Sequence, residues 1–244
     1  MITEKKIINS SQNAVSKGYV IFHNIGERDY NEAWAFQEEL FDKVLTEKSA
    51  GIENPTNHLI FCEHPHVYTL GKSGDEQNLL LNYIQLQAKH AQFYKINRGG
   101  DITYHGPGQL VGYPILSLNH LKIGLKEYIH ILEEAIIRTI ANYNIQGERL
   151  DGATGVWLDV ASGRNTRKIC AIGVRSSHWV TMHGFALNVN TDLSYFGHIN
   201  PCGFTDKTVT SMEKELGKKL DFTEVSEIAL KELLCLLGLT ILEQ

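Results

Sequence analysis

The stretch that most restricts how this chain can fold is RGGDITYHGPGQLVGYPIL, residues 98–116. There Gly99, Gly100, Gly106, Gly108 and Gly112 crowd around Arg98, His105, Pro107 and Gln109. Glycine admits positive φ and lets a backbone N–H approach a neighbour or ligand closely. A run this dense in glycine is either a set of turns between strands or a loop that wraps a ligand with its backbone. It is not a phosphate loop, because G-x-x-x-x-G-K-[ST] is absent and GPGQ opens no helix. The expectation is a ligand-wrapping loop with Tyr104 and His105 projecting into a site.

The flanking sequence supplies strands and helices in irregular alternation. Residues 18–24, 58–64, 67–71 and 93–97 read as strands, with Pro65 breaking the second from the third. Residues 155–160 and 167–174 read as a hairpin, and 179–190 as a further strand bent at Gly184. Apolar spacing predicts helices over 28–48, 83–92, 126–143 and 222–238, the last capped by Gly238. Helices mixed with hairpins imply an α/β, α+β-like domain with mixed sheets flanked by helices, not a doubly wound parallel one. No repeat or linker divides the chain, so the expected organisation is a polar lead-in over 1–17 and one domain over 18–244.

The 244 residues, 43% hydrophobic and 21% charged, can bury a core without disulfide or metal staples. The 28 acidic against 23 basic side chains, a net charge of −5, speak against a nucleic-acid binder working by bulk charge. The N-terminus lacks the apolar region of a secretory signal, and no run suffices for a membrane span. A cytoplasmic protein with free thiols, bound to neither nucleic acid nor membrane, is expected.

Four cysteines are the next candidates, and none forms a C-x-x-C pair. Cys235, in KELLCLLGL, reads as a buried core thiol, and Cys62, in a strand, as core too. Cys62, His64 and His66 alternate and could share a strand face, but Pro65 interrupts them and no further ligand cluster accompanies them, so no metal is expected. His183, followed by glycine, reads as a satisfied structural histidine. Cys170 shares a strand face with Lys168 at about 7 Å and could form a thiol–amine pair, although a strand-interior cysteine is more often packed. Cys202 stands between a proline and a glycine in HINPCGFTDKTVT, a turn that can lift a small side chain into a cleft.

Taken in order, these segments resemble the octanoyl-[acyl-carrier-protein]–protein N-octanoyltransferases, also called lipoate–protein ligase B. The family signature R-G-G-x-x-T-[aromatic]-H-x-x-G-Q-x-x-x-Y is filled by Arg98, Gly99, Gly100, Thr103, Tyr104, His105, Gly108, Gln109 and Tyr113. EHPHVYTLGKSG (63–74), GVWL (155–158), RKICAIGVR (167–175), HGFALNVN (183–190) and INPCG (199–203) match further blocks, so the resemblance covers about residues 20–215. It implies a biotin/lipoate protein ligase-like catalytic domain. It assigns the acyl-accepting thiol to Cys202 and its pKa-lowering lysine to Lys168. Acyl binding falls to Arg98, Gly99, Gly100, Asp101, Ile102, Thr103, Tyr104 and His105, to Ala171, Ile172 and Gly173, and to Gly184, Phe185 and Ala186. The chain departs from the pattern at Cys170, where many relatives carry a small residue.

The implied reaction moves an octanoyl group from acyl carrier protein to a lysine of lipoyl domains, those of 2-oxoacid dehydrogenase complexes and of the glycine cleavage H protein. Thioester to thioester is nearly isoenergetic and thioester to amide is downhill, so no nucleotide or other cofactor is required. A thiolate is both a strong nucleophile and a good leaving group. Lys168 would stabilise it as an ammonium or, if neutral, act as a base. Backbone amides near Cys202 or in the glycine segment would hold the oxyanion. An acidic carrier would need a local basic patch, with Lys72, Arg98, Arg149, Arg164 and Arg167 as candidates. Three other readings stay open: an ATP-dependent lipoate or biotin ligase, a non-catalytic binding module, and a cysteine hydrolase.

Overall fold

The computed structural model describes residues 17–200 and 208–242. Cys202, and all of the proposed lead-in except Lys17, lie outside them. Twelve strands are seen among the described residues. They are β1 (Gly18–Glu27), β2 (Asn57–Glu63), β3 (Val67–Leu70), β4 (Gln92–Lys95), β5 (Ile102–His105), β6 (Gln109–Ile115), β7 (Glu148–Leu150), β8 (Ala153–Leu158), β9 (Arg167–Ser177), β10 (Val180–Asn188), β11 (Thr208–Val209) and β12 (Leu239–Ile241). The helices are α1 (Tyr30–Ser49), α2 (Tyr83–Ala88), α3 (Leu118–Leu121), α4 (Leu125–Ala141), α5 (Met212–Leu216) and α6 (Phe222–Leu237).

Nine strands form a mixed sheet in the order β12-β1-β2-β6-β10-β9-β8-β7, with β11 added beside β9. The β12–β1–β2 run is parallel, β2 through β7 are antiparallel, and β11 runs parallel to β9. A second sheet, β4-β3-β5, is separate. The mixed architecture expected from the alternation of hairpins and helices is therefore present.

Side-chain alternation explains the layers. Leu59 and Phe61 of β2, Leu110 of β6, and Phe185 and Leu187 of β10 face α4 and α6 in the main core. Ile60 and Cys62, Val111 and Tyr113, and Met182 and Ala186 face α1 on the other side. Each large apolar side chain buried this way contributes about 1.5–3 kcal/mol. Asp29 caps α1 by accepting from Asn31 and Glu32 N–H, and Asp221 does the same for α6. Gly238 ends α6 at φ +67°, the left-handed cap read from sequence.

Several expectations need correction. Residues 98–116 are not one loop: the segment is a turn, then β5 in the small sheet, then β6 in the centre of the large one. Its glycines serve as close-packing points as well as turns, since a Cβ on Gly112 would run into the Phe185 ring. β10 pairs continuously through Gly184, and the unusual backbone is at His183, φ +60°. Strands β11 and β12 were not foreseen, because two or three residues carry no readable period and both pair with distant partners. Cys235 is exposed, not buried. The buried stripe of α6 is Val225, Ala229, Leu233 and Leu237, and Cys235 stands two residues, about 200°, off it.

Three interior histidines, His64, His105 and His183, lie between the small sheet, α1 and the large sheet. Burial lowers them to about 4, 3 and 3 respectively, helped at His105 by His64 and Arg98 and at His183 by Arg98 and Arg175. They are neutral when folded, while the unfolded chain protonates them below pH ~6.5. Their contribution is complete above that value and is lost as pH falls toward 4, at about 1.4 kcal/mol per pH unit for each. Urea midpoints should drop steeply between pH 6.5 and 4.5, with these three rings not titrating by NMR in that window; rings that titrate near 6.5 would contradict it. In Cys202→Ser protein, one thiol, Cys235, should react rapidly with a disulfide reagent when native, and three in denaturant.

Candidate active site

The positions named from sequence converge from three strands. Gly184 pairs with Gly173, Phe185 with Ile172 and Ala186 with Ala171, so the two triplets are aligned residue by residue across β9 and β10. Alternation then divides them. Ile172 and Phe185 turn into the main core, Phe185 packing edge-on to Phe61. Ala171, Gly173, Gly184 and Ala186 make a floor of small residues on the opposite face, and Ala171 and Gly173 are only partly buried. Gly184 and Ala186 are buried, Ala186 among the side chains packed on α1, so Ala171 and Gly173 are the members of this floor that stay partly exposed.

The turn Arg98–Asp101 closes over this floor. Gly99 N–H donates to Val174 O at 2.9 Å, at the stretch of β9 beyond the end of β8. A Cβ on Gly173 would sit 3.0 Å from Gly99 O and 3.1 Å from Arg98 Cδ, so any larger residue would push the turn away. The other side of the turn is tied to the end of β3: Lys72 N–H donates to Arg98 O, and Ser73 N–H to Gly100 O. Arg98 is buried; its Nη2 donates to Thr69 O at 2.7 Å and Thr69 Oγ1 at 3.0 Å, and its Nη1 to Gly99 O. Asp101 accepts from Ile102 N–H and Asn78 Nδ2, bracing the turn.

Within β5 the faces separate again. Ile102 and Tyr104 pack in the small sheet's own core, where Tyr104 stacks on Tyr195 and its hydroxyl meets His66 Nδ1 at 2.7 Å. Tyr104 therefore does not project into the site as expected. Thr103 and His105 share the face of Thr69, to which Thr103 is paired. His66 is spent on Tyr104, while His64 meets Tyr113 OH at 2.7 Å and Cys62 Sγ at 3.5 Å, so Cys62, His64 and His66 do not converge on one point.

His105 begins a polar chain. Its Nδ1–H donates to Gln109 Oε1 at 2.8 Å, and its Nε2 faces Thr69 Oγ1 at 3.4 Å. Gln109 Nε2 donates to Asn188 Oδ1, Asn188 Nδ2 to Thr210 O, and Thr210 N–H to Lys168 O. Gln109's amide orientation fixes the tautomer of His105. The chain thus joins the glycine segment, β10 and Lys168 through Asn188 and Thr210, which the motif reading passed over. Asn188 lay inside the HGFALNVN block and was findable; Thr210 is tied in by main-chain groups and left no signal.

Lys168 is on β9 beside β11, with Thr208 and Val209 paired to Arg167 and Lys168. Its Nζ donates to Thr154 O at 3.3 Å and lies 4.4 Å from the Trp157 ring centroid. Cys170 is fully buried, and burial pushes its thiol well up despite Lys168 nearby. The thiol–amine pair weighed for Cys170 is therefore disfavoured, and so is interference with labelling. Cys202 is outside the described residues. The amides of Gly99 and Gly108 are already committed, to Val174 O and Glu63 Oε2, and do not serve an oxyanion. Of the basic-patch candidates, Arg98 is buried, Arg149 pairs with Glu133 and Glu134, and Arg167 with Glu215 and Asp159, leaving Lys72 and Arg164 exposed. Among the described residues, no helix is long and apolar enough to cross a membrane.

Residues 29–234 match the family of the lipoyl protein ligase A/B catalytic domain. An octanoyltransferase of Bacteroides fragilis is 60% identical over 208 residues, covering 85% of this chain and 93% of that protein. One from Christiangramia forsetii is 56% identical over 214 residues, covering 85% and 91%. In fold, the chain is similar to a solved archaeal lipoylation system of Thermoplasma acidophilum, a bipartite lipoate protein ligase and its E2 lipoyl domain. The TM-score is 0.68 at 14% identity, over 94% of this chain and 87% of that one. A lipoate-protein ligase A bound with ATP gives 0.65 at 13% identity, over 93% and 88%. With the family match spanning most of its length and relatives more than half identical across it, this chain belongs to the lipoyl protein ligase A/B catalytic-domain family.

Proposed function

We propose that this chain, an octanoyltransferase of protein lipoylation, works by a two-step exchange through a thioester on Cys202, with Lys168 beside it. The observation that carries the reading is the aligned floor of Ala171, Gly173, Gly184 and Ala186 under the Arg98–Gly100 turn. Its partly exposed members, Ala171 and Gly173, offer an eight-carbon chain a face without bulky side chains, on the strand that bears Lys168. The chain returns as β11 directly beside Lys168, and Cys202 stands six residues before Thr208 in the sequence, which supports the pairing.

In the first step the Cys202 thiolate attacks the octanoyl thioester carbonyl. The new C–S bond forms, the bond to the carrier's sulfur breaks, and the carrier leaves as a thiolate that takes up a proton. In the second, the lipoyl-domain lysine attacks as a free amine. The amide bond forms, Cys202 leaves as thiolate, and the amine gives up a proton. An ammonium at Lys168 stabilises the thiolate before and after each step. Backbone amides near Cys202 hold the oxyanion, typically worth about 3–4 kcal/mol per donor. The donor is an acidic acyl carrier protein. The acceptors are lipoyl domains of 2-oxoacid dehydrogenases and the glycine cleavage H protein, and the reaction takes place in the cytoplasm. Residues 18–244 act as one catalytic unit.

The close approach of the Arg98 turn onto Gly173 limits how far the acyl chain can run along the floor. Gly173→Ala should disturb the Arg98 turn and lower kcat/KM for octanoyl donors about tenfold, with a smaller loss for hexanoyl, since each buried methylene is worth ~0.8 kcal/mol. Equal losses for both lengths would count against the floor. Mixing with octanoyl carrier protein should add one octanoyl group by intact mass to wild type and to Cys170→Ser, and none to Cys202→Ser. A Cys202→Ser protein that modifies a lipoyl domain at the normal rate would remove the covalent route. If that activity needed ATP and used free octanoate, it would point to a ligase.

A further inference from the structure

We infer that the indole of Trp157 is a positioning residue that holds Lys168 in its charged form at a fixed place, which deepens the Cys202–Lys168 reading above and rests on it for its catalytic meaning. The inference starts from β8. Gly155 there has φ +126°, a conformation that side-chain-bearing residues rarely adopt, and a Cβ on it would press on Cys170 O at 2.5 Å. The same hypothetical atom would sit 3.5 Å from Lys168 Cε. The register between β8 and β9 shifts at Val156 and Trp157, so that Trp157 comes opposite Lys168. Such an irregularity re-aims a side chain.

The platform is itself fixed. Trp157 Nε1 donates to Ala153 O at 2.8 Å, and the residue is 2% exposed. From α4, Glu133 accepts from Gly155 N–H at 3.1 Å and from Arg149 Nε at 3.2 Å, pinning the kinked part of β8. Lys168 Nζ rests 4.4 Å from the ring centroid and 3.3 Å from Thr154 O. A ring face and a carbonyl oxygen both favour an ammonium over an amine. Among the described residues, the charged and titratable groups near Lys168 and its ring include Glu133 on α4, Arg149 bound to it, the buried Cys170 on β9, Glu148 on β7 paired to Trp157, and Arg167, turned toward Glu215 and Asp159. The paired residues of β11, Thr208 and Val209, bring no ionisable side chain.

The test is a titration of Lys168 by NMR in Cys202→Ser protein, where no thiolate couples to it. Replacing Trp157 by Leu should lower the Lys168 pKa by about half a unit to one unit and abolish the upfield ring-current shift of its ε-methylene protons. Trp157→Phe, which keeps a weaker ring and most of the volume, should fall between. In Cys235→Ser protein, the pH profile of Cys202 alkylation should move upward on Trp157→Leu, and this movement should vanish when Lys168 is Met. An unchanged Lys168 pKa in a folded Trp157→Leu protein overturns the inference, and so does an alkylation shift that persists without Lys168. If Lys168→Met alone leaves the Cys202 profile unmoved, the pairing of Lys168 with Cys202 fails, while the direct titration still decides the role of Trp157.

Discussion

The approach of the Arg98–Gly100 turn onto Gly173 is the contact on which the rest of the site depends. It is main chain against main chain: Gly99 N–H to Val174 O on one side, the carbonyls of Arg98 and Gly100 to Lys72 and Ser73 on the other. The turn is therefore the joint between the two sheets, and small residues are needed on both sides of it. Gly71 has no room for a Cβ against Gly100 O, and Gly173 almost none against Gly99 O. Arg98 completes the joint by burying its guanidinium against Thr69. A buried cation is expensive unless its donors are satisfied, and here Thr69 O, Thr69 Oγ1 and Gly99 O all accept from it. The residue is thus a structural keystone of the joint before it is anything else.

A second dependence runs through the polar chain from His105 to the backbone of Lys168. Gln109 and Asn188 are neighbours by strand register, and each uses both ends of its amide. A buried network of this kind specifies one arrangement only when every member is satisfied. Burial, His64 and Arg98 together hold His105 neutral, so it keeps one donor and one acceptor and the chain has a single direction. The same neutrality argues against His105 as an ionised group in the chemistry.

The large elements were legible because they are long and periodic. α1, α4 and α6 show one buried stripe each, and the β8–β9 hairpin is marked by two apolar runs around ASGRNT. The glycine segment misled for a physical reason. Its glycines suggested a loop, but Gly112 is a place in a central strand where the Phe185 ring from the next strand needs room. Sequence shows the missing side chain and not the neighbour that requires it to be missing. Motif blocks likewise located Ala171–Gly173 and Gly184–Ala186, yet only the register between β9 and β10 separates the floor from the residues behind it. Cys235 was misplaced because an apolar context was taken for an apolar face, and helical phase decides that instead.

The cysteines show why nearness to a cation does not by itself make a nucleophile. Cys170 is two residues from Lys168 on the same strand, and Lys168 does favour its thiolate. Burial nevertheless dominates, because a thiolate there would exchange all of its hydration for the apolar core of β10 and α4. Cys62 is raised in the same way, by burial and then by Glu63. A reactive thiol in this fold needs both a cation and access to solvent and substrate. An ammonium held on the indole of Trp157 meets the first need without itself entering the core, since its stem packs on β8 while its head keeps a carbonyl partner. The arrangement separates the two buried thiols, which fill space, from a cation that can act only on a thiol brought to it from outside the core.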